Sequence, residues 1–319
     1  MESSVKVDMQ RYEEQIAGKA LRLTDEEVKA ELLAILLAFD SFAKRKGIIY
    51  SLAYGTLLGA VRHKGFIPWD DDVDVIVPRP DYERLVKYAN GGGSIGDYRF
   101  TGFEVDGFPM PFLKLVNPMI RVRDCATKAR IRLDLWIDIF PLDGCDSDSE
   151  KFAAGDREAG LCKAVVKIAN YRFWGAGKGR LNRIGKMLAM PFVELMGLGV
   201  LAERKLLELA SEKPDYDEAD YVCNVVWGPY GPGERFRKSL FCDTVEVIFE
   251  HHAFLALAGW DDYLTQIYGD YMTLPPVENR AAHGIKAWRR ISGQRQAPSM
   301  PDADRQLDST MVHGKQEER

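Results

Sequence analysis

The sequence predicts an α/β (α+β) fold, a mixed sheet flanked by helices with a mainly helical C-terminal part. Three observations carry that prediction. Residues 24–42 repeat apolar side chains at helical spacing, segments around Asp72 and Asp134 alternate apolar with acidic residues at period two, and the chain from about Glu150 to Ala210 returns to a helical pattern. At 319 residues there is room for one large domain or two modest ones. The patterns divide the chain into a core at 20–150, a helical part at 151–290 that completes the site, and a polar tail at 291–319 expected to be disordered.

The first firm element starts at Thr24, where Thr24 and Glu27 form a capping box; Val28, Leu32, Ile35, Leu36, Phe39 and Phe42 then share one helical face until Gly47 supplies a stop. Ile48 to Leu52 reads as a strand, Tyr54-Gly55-Thr56 as a turn, and Leu57 to Arg62 as a short helix. A loop through Gly65 and Pro68 leads to a strand from Asp70 to Val77, followed by a helix capped by Asp81 that runs to Ala89. Asn117-Pro118 is a turn signal, so Phe112–Val116 and Ile120–Arg123 are expected to form a hairpin. In Leu133 to Phe140 the apolar Leu133, Leu135, Ile137 and Ile139 oppose Asp134, Trp136, Asp138 and Phe140. Tyr221 to Val226 is β-like, and Glu246–Leu257 and Asp261–Tyr268 are expected to be helical, which would set His251 and His252 about 100° apart on a helix.

Composition narrows the function. With 43 Lys and Arg against 48 Asp and Glu the net charge is −5, which argues against nucleic acid as a partner. At 46% hydrophobic and 29% charged residues, neither wholesale disorder nor a polytopic membrane protein fits. Five cysteines without a C-x-x-C pair argue against a disulfide framework or a zinc site and point to a reducing cytoplasm. Met1-Glu2-Ser3-Ser4 opens no secretory pattern, and the apolar run from Met187 to Ala202 is short for a span and broken by Pro191 and Glu194.

The chemistry is concentrated in the acids. On a strand Asp72 and Asp74 would share a face ~7 Å apart, and their charges would repel unless a cation lay between them. Carboxylate oxygens without nearby His or Cys select Mg²⁺ or Mn²⁺, an ion that keeps positions open for substrate phosphates. A solvated acidic surface is the plain alternative. Gly55-Thr56 opening a helix suits phosphate, because glycine admits close backbone approach and helix N-terminal amides carry partial positive charge. A glycine turn followed by paired aspartates on the next strand is the layout of a metal-dependent phosphate-transfer site.

The run Tyr54-Gly55-Thr56-Leu57-Leu58-Gly59-Ala60-Val61-Arg62-His63-Lys64-Gly65-Phe66-Ile67-Pro68-Trp69-Asp70-Asp71-Asp72-Val73-Asp74 closely resembles the signature of the LicD family of phosphotransferases, within the nucleotidyltransferase-fold superfamily. Ile137 to Gly144, and Tyr268 to Met272 through Leu274-Pro275-Pro276 to Arg280 and His283, agree with it, so the resemblance covers roughly residues 24–290. It implies a nucleotidyltransferase-like sheet and transfer of phosphocholine, or a related phospho-alcohol, from a CDP-linked donor to a cell-surface glycan such as lipopolysaccharide, capsule or teichoic acid, with release of CMP. Gly55 and Thr56 match the motif that touches donor phosphate, and Asp72 and Asp74 the paired metal carboxylates; the third is placed at Asp138, with Asp134 as runner-up. Glu250 matches a family acid, but His251 stands where the family has glycine.

Lys114 and Arg62 are candidates to neutralise donor phosphate, although each is equally readable as a solvated surface cation. Arg280 and His283 lie in a family-like block and equally suit pinning a C-terminal loop. Between Gly160 and Val193 there are seven basic residues and no acidic one, followed by apolar chain; this suits peripheral contact with an anionic inner membrane face carrying a lipid-linked acceptor, against the alternative of a buried helix with a solvated basic flank. The rival functions are a nucleotidyltransferase using CTP with pyrophosphate release, a D-x-D glycosyltransferase, and a non-catalytic glycan-binding relative.

Overall fold

The computed structural model describes residues 20–124, 127–128, 130–171, 190–280 and 284–291. Strand β1 (Ala20–Arg22) precedes α1 (Asp25–Lys46), which begins as the sequence predicts: Thr24 Oγ1 accepts from the Glu27 amide at 3.2 Å and Glu27 returns a carboxylate to the Thr24 amide at 2.8 Å. Gly47 ends it at φ +59°, and Val28, Leu32, Ile35, Leu36 and Phe39 face the core.

Then follow β2 (Ser51–Leu52), α2 (Tyr54–His63), β3 (Asp74–Pro78), α3 (Arg79–Asn90), β4 (Ser94–Ile95), β5 (Tyr98–Thr101), α4 (Phe103–Asp106), β6 (Leu113–Arg123) and β7 (Leu133–Cys145). The remaining elements are α5 (Ser149–Asn170), α6 (Leu198–Ser211), β8 (Tyr221–Cys223), β9 (Phe236–Arg237), β10 (Thr244–Phe249), β11 (His252–Leu257), α7 (Trp260–Tyr268) and β12 (Lys286–Arg290). The fold is a mixed α/β sheet flanked by helices. Its main path runs β1-β12-β6-β7-β3-β2, with β5 also on β6 and β8 on β7. β3 and β7 pair in parallel, the other pairs antiparallel.

Four expectations are corrected. Residues 113–123 form one strand rather than a hairpin: a register shift between Asn117 and Arg121 makes a bulge that accommodates Pro118, and Asn117 Oδ1 accepts from the Met119 amide at 3.0 Å. Glu246–Leu257 is not helical but the two-stranded β10–β11 hairpin, whose turn residues Glu250 and His251 have φ +48° and +66°. This puts His251 in the left-handed region that favours glycine, and it removes the helical geometry expected for His251 and His252. The strand expected from Asp70 begins only at Asp74, so Asp70 to Val73 approach the sheet as loop. Asp81 does not cap α3 either, since Pro78 holds that position and Asp81 accepts from the Ile49 amide at 2.7 Å.

Candidate active site

The sheet register builds the centre of the site. Asp74 on β3 is the Cα partner of Asp138 on β7, and Asp138 is in turn the partner of Lys114 on β6. Three side chains from three adjacent strands therefore stand in a row on one face. Trp136 and Phe140, which share the parity of Asp138, stand on that face too. The row lines a pocket of about 1070 Å³, measured to its open mouth, together with Asp70, Asp72 and Gly55. Its other walls are aromatic: Tyr54, Phe112, Tyr171, Trp227, Tyr230 and Tyr268 join Trp136 and Phe140.

Charge is unevenly balanced there. Burial first, then the charges of Asp72, Asp138 and Asp70, push the Asp74 carboxyl well above the usual carboxylate range, with Lys114 opposing. Lys114 pairs with Asp138, and its ammonium lies 4.4 Å from the Trp136 ring centroid and 5.0 Å from that of Phe112. Carboxylate oxygens predominate as donors, the chemistry of a hard divalent cation. Among the described residues, however, no three His, Cys, Asp or Glu side chains are already gathered closely enough to hold a metal.

The loop and turn carrying the acids are fixed from below. Thr56 Oγ1, buried beneath the pocket, accepts from the Asp74 amide at 2.8 Å, and the Ala53 amide donates to the Asp74 carbonyl at 3.0 Å. Gly55 is held free of side chain by contact: a Cβ there would stand 2.6 Å from Asp70 Oδ2. Ahead of it Tyr54 takes φ +44°, its hydroxyl donating to Glu234 at 2.7 Å and accepting from Asn224 at 3.2 Å.

Comparison with known proteins fits this arrangement. Residues 47–142 match the family model described as LicD/FKTN/FKRP, nucleotidyltransferase domain. Lipopolysaccharide cholinephosphotransferase LicD of Haemophilus influenzae is 28% identical over 278 residues, covering 83% of this chain and 97% of that protein. The family model over residues 47–142 and the similarity to LicD along most of the chain support a phosphotransferase of the LicD type. Shorter matches come from Mannosyltransferase regulator 4 of Saccharomyces cerevisiae, 35% identical over 65 residues (20% of this chain, 6% of that protein), and an uncharacterised protein of Rickettsia prowazekii, 37% over 68 residues (18% and 26%).

Of the residues singled out in the sequence, Gly55, Asp72, Asp74, Lys114 and Asp138 come together on the pocket wall. Asp134 does not: it is buried between Arg121, 3.0 Å away, and Arg99, 2.9 Å away. Arg62 donates to the Tyr271 carbonyl at 2.6 Å and to His63 at 3.0 Å, with its pKa lowered by burial. Arg280 likewise pins its own loop, donating to the Pro275 carbonyl at 2.8 Å and covering the Trp69 ring at 4.8 Å. Glu250 clamps the segment entering the acidic loop by accepting from the Phe66 amide at 3.0 Å, and a Cβ at Gly65 would collide with it at 2.2 Å. His283 lies outside the described residues. Sequence reasoning missed Asp70's place against Gly55, and the roles of Tyr54, Tyr171, Trp227, Tyr230, Tyr268 and Glu234; Tyr54 and Tyr268 stand in the motif blocks, and the Trp227–Pro229–Tyr230 loop carries a local signal, aromatics among Gly and Pro.

Proposed function

We propose that this chain transfers phosphocholine, or a closely related phospho-alcohol, from a CDP-linked donor to a hydroxyl of a lipopolysaccharide-type glycan, releasing CMP. The observation that carries the reading is the Lys114–Asp138–Asp74 row beside Asp70, Asp72 and the Gly55 helix start, in a pocket walled by aromatics. The cholinephosphotransferase named above, matched over nearly its whole length, supports the substrate class. Aromatic faces suit the quaternary ammonium of choline by cation–π attraction.

Asp72, Asp74 and Asp138 would hold a divalent cation, Mg²⁺ or Mn²⁺, which when bound supplies neutralisation of the negative charge on the donor phosphates. Gly55 lets the pyrophosphate approach the start of α2, where unpaired amides favour anions. Lys114 presents a cation to the transferring phosphoryl oxygens while its bond to Asp138 fixes that carboxylate. The acceptor hydroxyl attacks the phosphorus bearing the alcohol, the bond to the CMP oxygen breaks in line, and a pocket carboxylate takes the hydroxyl proton. The acceptor is lipid-linked in this reading. Contact with a membrane surface is supported by the exposed Phe192, Leu195, Met196 and Leu201, which follow the basic run in sequence. Among the described residues no helix is long and apolar enough to cross a membrane.

The test is ³¹P NMR of the purified chain with Mg²⁺, a panel of CDP-alcohols, CTP and a glycan extract, beside Asp72→Asn. CMP together with a new glycan phosphodiester, absent from the variant, is the expected result. Pyrophosphate released from CTP would replace the proposal with a nucleotidyltransferase.

A further inference from the structure

We propose that the acceptor saccharide lies in a groove that leaves the catalytic pocket on its Lys114–Trp136 side and ends in a cleft between α5 and α6. The inference rests on the transferase reading above and adds the acceptor's place. Adjacency is the first argument. Lys114 and Trp136 line both the catalytic pocket and a narrow space of about 240 Å³, and Phe108 and Arg132 line both that space and a wider cleft of about 880 Å³. Each space thus shares lining residues with the next, and the far cleft has volume for more than one sugar ring.

Direction is the second argument. Gly55 and Asp70, with the start of α2, occupy the β3 side of the pocket, where phosphate binding is placed; β7 carries Asp138 in the middle, and the groove departs across β6. A saccharide arriving along it would meet the donor from the side opposite the helix start, which is what in-line displacement requires of an acceptor.

The lining chemistry is the third. Glu203 on α6 is 1% exposed yet lines the cleft, and among the described residues its carboxylate receives a long contact of 3.4 Å from Asn170 Nδ2, which donates at 2.8 Å to the Pro109 carbonyl. A carboxylate can accept about four hydrogen bonds, so Glu203 retains capacity for sugar hydroxyls. Arg132 is 56% exposed, and its Nε reaches Asp134 only at 3.9 Å, so most of its donors remain directed to solvent. It can take hydroxyls or an anionic substituent. Phe108 and Trp136 offer apolar ring surface beside these polar groups, the mixture that a hydroxylated ring with apolar faces demands.

The experiment titrates the full chain with delipidated lipopolysaccharide core oligosaccharide, and separately with CDP-choline and Mg²⁺, by calorimetry. It compares wild type with Val200→Trp, Glu203→Gln and Arg132→Ala. Val200 lines the far cleft from a half-exposed helix position, so the indole fills the cleft without entering the core. The expected result is oligosaccharide binding weakened about fivefold or more in Val200→Trp and Arg132→Ala, with CDP-choline affinity changed less than about twofold. Unchanged oligosaccharide affinity in all three variants overturns the proposal, as does equal loss of both ligands or no oligosaccharide binding by wild type at millimolar concentration. Because binding is read without turnover, absence of CMP release would refute the transferase while leaving the groove supported. Conversely, turnover with an unaltered acceptor KM in the variants would refute the groove alone.

Discussion

Replacing Glu234 with Gln should remove a fall in stability that the wild-type chain shows between about pH 4.5 and pH 7. The Glu234 carboxyl is 2% exposed and accepts from the Tyr54 hydroxyl and the Tyr230 amide, both at 2.7 Å. Burial raises its pKa from 4.5 to about 7, with Asp156 reinforcing the rise and Lys163 and the two hydrogen bonds opposing it. The folded chain thus holds this proton more tightly than the unfolded chain. Its contribution is complete below about pH 4.5, declines as the unfolded carboxyl ionises, and is lost once the folded one ionises near pH 7. The gap between the two values corresponds to about 3 kcal/mol. Gln keeps a carbonyl for the Tyr230 amide and carries no titrating proton. Urea denaturation at half-unit pH steps from 4.5 to 8 should show the variant gaining about 3 kcal/mol on wild type across the window. Parallel stability curves would refute the reasoning. The function is coupled to the same contact, because Glu234 holds Tyr54 in a left-handed conformation that costs a non-glycine residue on the order of 1 kcal/mol or more.

Two further outcomes are expected. Thr56→Val removes the acceptor of the Asp74 amide at nearly constant volume, and should cost about 1–3 kcal/mol in urea denaturation and slow turnover, while Thr56→Ser should restore both; equal stability of the Val variant would show that the bond does not hold Asp74. In liposome flotation with anionic vesicles, Phe192→Ser with Leu195→Ser should weaken association by tenfold or more, on the basis of about 1.5–3 kcal/mol for each apolar side chain inserted; unaltered flotation would remove the membrane contact from the reading.

The elements legible in the sequence are those whose local chemistry and tertiary environment agree. α1 carries its own capping box and apolar stripe, and β7 its own alternation, which put Trp136, Asp138 and Phe140 on the pocket face as read. The β10–β11 hairpin was hidden because its two-residue turn uses Glu250 and His251 at positive φ, without the Asn-Gly or Asp-Gly pair that marks such turns. The single strand β6 was hidden by Asn117-Pro118, a turn signal when taken alone; only pairing with β7 makes it a bulge. Asp138 and Asp134 share parity and could not be ranked by it. The register sets Asp138 opposite Asp74 and leaves Asp134 between Arg99 and Arg121.

The glycine–threonine turn and the acidic run, two motifs in the sequence, are one structural unit. The Thr56 hydroxyl accepts from the Asp74 amide, and the Asp70 carboxylate lies where a Cβ on Gly55 would stand. Glu250, from a hairpin nearly two hundred residues later, closes the loop between them through the Phe66 amide. The fold therefore sets where the acids stand relative to the start of α2 through backbone contacts, before any substrate arrives. A substitution that leaves every acid in place but loosens one of these contacts should impair transfer through misplacement, since an error of about 1 Å at a reacting centre is enough to cost ~100-fold in rate.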